Sequence, residues 1–463
     1  MNFITLSRIN SKALNLLVLL YPLTLLTGNF LVNTNVFLIC LLGILNYKKN
    51  IFSLDEIKLK FLFFLFFLSI IITTIFFSKS IGNEMGVLKS FLYLRYFVFF
   101  LVLKYMIENN DLDIKRLLIC CLILTSFISL DVTFQALTGK NFFGFEGFGR
   151  HNSSIFGQEL IAGSYIQKFF LFSLICLIFL FDKLDNRKLF IIGLFLSLFF
   201  LGILLSGNRM PLVMFLFSVG LMIILIKELR QTLLIVSVFF SLIFTISIFT
   251  NEMVKANYSN FYMHSISTIK NVKKLYAKEY PELEKQKDKF FSTIENLKSD
   301  KFFMKESDNK KDSEETSEKN EILAFGSGHQ VVYLTAIDVW LDKVFLGNGL
   351  KSFRLTCKTK LHLPNRVCES HPHNYYLELL NDTGLIGTFI FILSILFLFI
   401  SKISNFGNLN PKEKFFLVCI LIAATVELFP LKSTGAFFST ANSSYIFFLL
   451  GLLSVSKNIE KKT

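Results

Sequence analysis

Residues 370–387 read SHPHNYYLELLNDTGLIG, which places His371, His373 and Asn374 just ahead of an apolar run. Imidazole titrates near neutral pH and can take a proton from a hydroxyl, so a general base is one reading of this pair. A metal site is a second, weaker one: the two histidines are two residues apart, with no Cys or acid at ligand spacing. The structural alternative is a hydrogen-bonded histidine at a membrane interface. All six histidines of the chain fall in segments that the charge bias described below places on the outer side, and none in a loop expected to be cytoplasmic.

The arginines are the other chemical candidates. Nine of the 48 basic residues are arginines. Arg8, Arg116, Arg187 and Arg230 lie in lysine-containing loops, whereas Arg95, Arg150, Arg209, Arg354 and Arg366 do not fit that pattern. A guanidinium is permanently charged and binds phosphate or carboxylate as a bidentate fork, which an ammonium cannot do. The bland alternative is a charge snorkelling from a helix end. Arg209, in SGNRMP, stands just before Pro211, a residue suited to the first helical turn. Arg95 lies inside an apolar run and requires an internal partner. Glu159 and His151 share the loop GFGRHNSSIFGQEL with Arg150.

These groups must be positioned by a very apolar chain. Of 463 residues 53% are hydrophobic, and 57 are Phe. Apolar runs of about 17–22 residues are long enough to span a bilayer as helices, and they lack strand alternation. The class is an all-α polytopic membrane protein with twelve expected spans: 13–28, 31–46, 60–77, 88–107, 116–136, 164–181, 189–206, 210–226, 232–250, 384–400, 414–429 and 440–456. The first run follows Arg8 and Lys12 without a convincing cleavage site and reads as an uncleaved helix. The net charge of +14 is explained by basic residues in alternate short loops, not by nucleic-acid binding. That bias places both termini in the cytoplasm and the 251–383 segment in the periplasm.

Three regions follow: a bundle of nine spans over 1–250, the large periplasmic loop 251–383, and three spans over 384–463. The loop begins with Lys/Glu-rich helical sequence and is expected to be disordered near 305–321. Apolar periodicity then returns. Val332, Leu334, Ile337, Trp340 and Leu341 recur at helical spacing, and an amphipathic helix near 329–345 is expected to dock on the bundle. Gly347 and Gly349 break it.

At His373-Asn374, with Gly384 and Gly387 following, the sequence resembles the O-antigen ligase and polymerase superfamily, through the pattern H-[NSQ]-x9-G-x-x-[GTY]. The twelve spans, the large loop between the ninth and tenth, and the arginine of SGNRMP extend the resemblance over most of the chain. It implies a bacterial inner-membrane glycosyltransferase of GT-C-like architecture, acting on a glycan carried by undecaprenyl diphosphate. It implies that His373 activates an acceptor hydroxyl, with Asn374 orienting it or binding sugar, and that Arg209 binds the diphosphate. Arginines would stabilise the leaving group without a metal or cofactor. The acceptor would be lipid A–core for a ligase, or a growing glycan for a polymerase. Relatives often carry an arginine at the start of the loop helix, where this chain has His329, which leaves Arg354 and Arg150 as candidates for the second phosphate contact. His371, His329 and Glu159 are possible accessory residues. Gly384 and Gly387 are expected to allow close helix packing. A polysaccharide transporter or flippase would need polar groups spread through the spans, whereas here they concentrate at one face.

Two of the seven cysteines, Cys357 and Cys368, fall in the large loop and flank CKTKLHLPNRVC. Disulfides persist in the periplasm, and Pro364-Asn365 is a plausible turn, so a Cys357–Cys368 bridge is expected. Closing a loop of about a dozen residues stabilises by roughly 3 kcal/mol in a chain-entropy account. In unreduced membranes neither residue should react with a thiol reagent, and both should after reduction; labelling of both without reductant would refute the bridge.

Overall fold

The computed structural model describes residues 3–52, 56–147, 151–181, 184–258, 328–364, 366–433 and 435–453. The stretch expected to be disordered near 305–321 lies outside them, as do Arg150 and Asn365. Fourteen helices of ten or more residues are described: α1 Phe3–Thr27, α2 Asn29–Tyr47, α3 Ile57–Phe77, α4 Glu84–Tyr93, α5 Arg95–Glu108, α6 Ile114–Thr138, α7 Ala162–Leu180, α8 Asn186–Leu205, α9 Arg209–Leu225, α10 Arg230–Thr250, α11 Gly328–Leu341, α12 Tyr375–Ser404, α13 Pro411–Glu427 and α14 Thr440–Leu452. Among the described residues there is no strand, only an isolated bridge between Lys140 and Glu146.

The segments read as spans are helical. Among the described residues eight helical stretches are long and apolar enough to cross a membrane, and Ser11–Thr27, Arg209–Leu225 and Thr440–Leu452 are apolar but shorter. The run expected at 88–107 is broken at Leu94 into α4 and α5. The chain is a multi-pass membrane protein, and its surface says so independently of length. Along α10, Ile235, Val238, Leu242, Ile246 and Phe249 are all exposed. A contiguous apolar face of this size is unfavourable in water and ordinary in lipid. The interior is packed by rings: Phe66, Phe67, Tyr93, Phe391, Phe437 and Phe447 join α3, α4, α12 and α14 through tilted and edge-on contacts.

Charges inside the bundle are paired. Glu56 lies 3.1 Å from Lys104 and 3.0 Å from Lys402, and Lys104 also pairs with Glu108. Glu427 takes Lys432 at 2.7 Å and Lys168 at 3.6 Å. Pairing is what makes a buried charge tolerable in a low-dielectric interior. Arg95 is answered differently: it donates to Asn33 Oδ1, the Tyr96 hydroxyl and the Leu92 carbonyl, each at 2.9 Å, and among the described residues it pairs with no carboxylate.

The feature that shapes the functional end of the bundle is a break in α12. Gly384 has φ 65° and ψ −168°, a conformation that only glycine adopts readily. A continuous helix would bond the amides of residues 385 and 386 to the carbonyls of 381 and 382. Instead Leu385 N donates to Val344 O at 2.8 Å and Ile386 N to Phe345 O at 3.1 Å, while Asn348 N donates to Asn381 O at 2.7 Å and Gly349 N to Asp382 O at 2.9 Å. The loop 344–349 inserts into the helix and replaces both bonds, so no backbone group is orphaned. Asp382 completes the clasp by accepting Lys351 N at 2.6 Å and the Ser352 hydroxyl at 2.9 Å. The expected helix packing therefore applies to Gly387, whose added Cβ would meet Ser69 of α3 at 2.9 Å, but not to Gly384, whose contact is with a loop.

The loop helix α11 packs against α12 and ends at Leu341. It buries Val332, Leu334, Thr335, Ala336 and Val339, while Ile337 and Trp340 are half-buried and Leu341 is exposed. Its buried face meets Phe353 and Cys357. The following segment is closed on itself by a Cys357–Cys368 disulfide with Cα atoms 5.1 Å apart, and is held to α11 and the residue after it by the buried Arg366–Asp338 pair and by Lys360–Asp342 at 2.7 Å. Arg366 is thus a structural charge.

Replacing Gly384 by Ala would place a Cβ 2.3 Å from the Phe345 carbonyl oxygen in a left-handed conformation. We expect Gly384→Ala to cost at least about 2 kcal/mol, read as a lowered melting temperature of the purified full chain. Gly220→Ala in α9, which meets nothing within 4 Å, should leave it unchanged or raised. Equal melting temperatures for the two variants would contradict the clasp.

Candidate active site

His373 sits where the loop enters α12, with φ 56°, a left-handed backbone uncommon for a residue with a side chain. Its Nε2 lies 2.6 Å from Glu369 Oε2, and its ring centroid lies 4.1 Å from that of His371. His371 Nδ1 in turn meets Ser370 Oγ at 2.8 Å. Both partners of the His373–Glu369 pair are partly open to solvent. A carboxylate beside Nε2 favours the tautomer with the ring proton there, which makes Nδ1 the basic nitrogen of the ring. Sequence reading missed Glu369. Its signal was the spacing E-S-H-P-H, but a four-residue separation implies contact only if the intervening turn is known.

The three residues after His373 hold it in place. Asn374 caps α12: its Oδ1 accepts Tyr376 N at 3.0 Å and Leu377 N at 3.1 Å, and its Nδ2 donates to Pro430 O at 2.7 Å. The buried Asn374 side chain thus bridges the first turn of α12 and the loop after α13. The Tyr375 hydroxyl donates to Glu427 at 2.8 Å and the Tyr376 hydroxyl to Leu428 O at 2.7 Å. The Tyr333 hydroxyl reaches His373 O at 3.3 Å from α11. The N-terminus of α12 is thereby tied to α11, to the end of α13 and to the loop after it.

Arg209 occupies a second position. The turn before it is fixed by side chains: Asn208 accepts Gly163 N at 3.1 Å and donates to Leu160 O at 2.9 Å, Asn152 donates to Leu205 O at 2.7 Å, and His151 Nδ1 meets Ser206 O at 3.2 Å. Arg209 then opens α9, with Pro211 in its first turn. It lines a groove of about 580 Å³ with Leu212, Leu216, Phe240, Phe244 and Tyr258. The walls are apolar, and a guanidinium stands in them. Burial raises the Tyr258 hydroxyl well above its usual range, with the neighbouring Arg209 charge pulling it down.

The remaining expected residues scatter. Arg354 is exposed, its Nε 3.4 Å from Lys351 O; it stands beside the clasp loop and does not line the Arg209 groove. Glu159 is exposed in the turn before α7. His329 falls in the first turn of α11, with its side chain outside the described residues. Among the described residues no group of three or more His, Cys, Asp or Glu side chains could hold a metal ion.

Without the Asn374 cap the first amides of α12 lose their acceptor. Asn374→Ala should destabilise the chain by about 1 kcal/mol. Asn374→Asp, which keeps the acceptor but cannot donate to Pro430, should lose less; equal losses would show that the cap is not what Asn374 contributes.

No curated protein matches the chain. The family model described as O-antigen ligase matches residues 192–392, from within α8 through the groove, the clasp and the first half of α12 beyond its break. Over those residues the chain carries a domain that matches the O-antigen ligase family.

Proposed function

We propose that the protein transfers a glycan from undecaprenyl diphosphate to lipid A–core or another acceptor at the periplasmic face of the bacterial inner membrane. The observation that carries this reading is the His373–Glu369 pair, 2.6 Å apart, within the matched domain and at the mouth of a membrane helix. The acceptor hydroxyl gives its proton to Nδ1 of His373 as its oxygen attacks the anomeric carbon. The bond from that carbon to the diphosphate oxygen breaks, and undecaprenyl diphosphate leaves. Glu369 holds the imidazole orientation and stabilises the imidazolium that forms. The Arg209 groove supports a lipid donor: its apolar walls suit a polyprenyl chain, and a guanidinium suits the phosphate at the end of that chain. Cleavage of the donor linkage drives the reaction, with no metal ion or cofactor required.

A polymerase of the same superfamily would use the same groups with a lipid-linked glycan as acceptor. A deletion strain separates the two: loss of all attached glycan indicates a ligase, and single attached repeat units indicate a polymerase.

Loss of a general base costs about 10² to 10⁴ in rate. His373→Ala should fall by that much in a purified transfer assay while remaining in the membrane, and near wild-type transfer would remove His373 from the mechanism. Arg209→Lys keeps charge but loses the fork and should also be impaired; full activity would reduce Arg209 to a topological charge. Transfer should survive EDTA, and strict dependence on an added divalent ion would overturn the metal-free step.

A further inference from the structure

A second cationic site exists at the end of the bundle that carries His373. A cleft of about 410 Å³ is lined by Lys89 of α4, Arg95 at the start of α5, and Lys351 of the clasp loop, with Asn33, Phe37 and Leu92 among its other walls. No carboxylate lines it. The nearest acids are already used: Asp382 accepts Lys351 N and Ser352, and Glu378 accepts Phe437 N at 2.5 Å. Lys351 is partly withdrawn from water, and its ammonium is held below the usual lysine range by burial; Glu378 and, less, Asp382 pull it back up, while Arg354 and Lys89 add repulsion. Arg95 is fixed by Asn33, Tyr96 and the Leu92 carbonyl, and its Nε is buried without a hydrogen-bond partner. Three like charges gathered on one cleft raise the free energy of the empty state, and an anion relieves it.

The surroundings indicate what kind of anion. Phe37, Leu88, Leu92 and Met85 are exposed apolar side chains on the helices that form or flank the cleft, so it opens beside a surface that belongs in lipid. Its other wall is built from the clasp loop and from Phe438 and Thr440. We propose that this cleft binds the phosphate of a membrane-borne anionic headgroup, separately from the Arg209 groove. On the transferase reading it provides a place for a second phosphorylated lipid while the first occupies the groove; the binding itself does not depend on that reading.

The test uses the full chain in nanodiscs with dioleoyl phosphatidic acid bearing an acyl diazirine, and maps the photolabelled residues by peptide mass spectrometry. Labelling is expected in α2 and α4, around Phe37, Leu88 and Leu92. Lys89→Gln combined with Lys351→Gln should reduce it roughly tenfold, as expected for loss of charge-assisted contacts, while labelling along α9 and α10 stays unchanged. A phosphatidylcholine carrying the same diazirine should label the cleft at no more than the level of that double variant. Thermal melting of the double variant checks folding, and Lys89→Gln alone, an exposed position, provides the same readout if the pair is unstable. Unchanged labelling in the variants, or equal labelling by phosphatidylcholine, would overturn the proposal. Displacement by inorganic phosphate at concentrations comparable to the lipid would overturn its lipid part and assign the cleft to the free ion.

Discussion

The exchange of backbone hydrogen bonds at Gly384 is the constraint on which the rest of this end of the molecule depends. In a bilayer an unpaired amide or carbonyl costs several kcal/mol, so a membrane helix can be opened only if something else satisfies both sides of the gap. Here the 344–349 loop supplies two carbonyls and two amides in register with those released. The consequence is geometric. The segment Tyr375–Thr383 becomes an independent pedestal, tied to α13 and α11 rather than continuing the direction of the span below it. His373 stands at its top, and Lys351 is delivered to the neighbouring cleft by the same loop.

Polar groups elsewhere in the bundle follow the same economy of satisfaction. Glu427 lies between Lys168 and Lys432 and also accepts from Tyr375, so one buried carboxylate both faces two cations and anchors the residue two positions after His373. Other charged groups face an opening: the His373–Glu369 pair, Arg209 in its apolar groove, and the cations of the Lys89–Arg95–Lys351 cleft.

Much of this was legible in the sequence because the bilayer is a severe reader. Run length and apolar composition locate helices at all twelve expected spans, and the signature around His373 and the arginine of SGNRMP locate the candidate chemistry. What was illegible depends on a turn geometry or on distance in space. Gly384 reads as a packing glycine; only the left-handed backbone and the bonds to Val344 and Phe345 reveal a break. Asn374 reads as a polar neighbour of a base, but its amide is consumed as a helix cap. Glu369 carries only the spacing E-S-H-P-H, which implies contact once the turn before α12 is known, and Lys351 acquires its place through the clasp. The loop helix misleads for a related reason: with protein on more than one side, its buried positions do not form the single stripe that periodicity assumes.

The central claim is that one lipid-linked donor spans the groove and the histidine: chain between α8 and α10, phosphate at Arg209, reacting carbon at His373. The most direct measurement is a cryo-electron microscopy structure of the full chain in nanodiscs with a phosphonate analogue of the glycan-bearing polyprenyl donor. The account predicts lipid density in the groove and the phosphonate against Arg209. It also predicts that an acceptor hydroxyl placed for in-line attack on the anomeric carbon falls within hydrogen-bond reach of the His373 ring, about 2.6–3.2 Å. Density for the headgroup away from both Arg209 and His373, with the groove filled only by bilayer lipid, would contradict it.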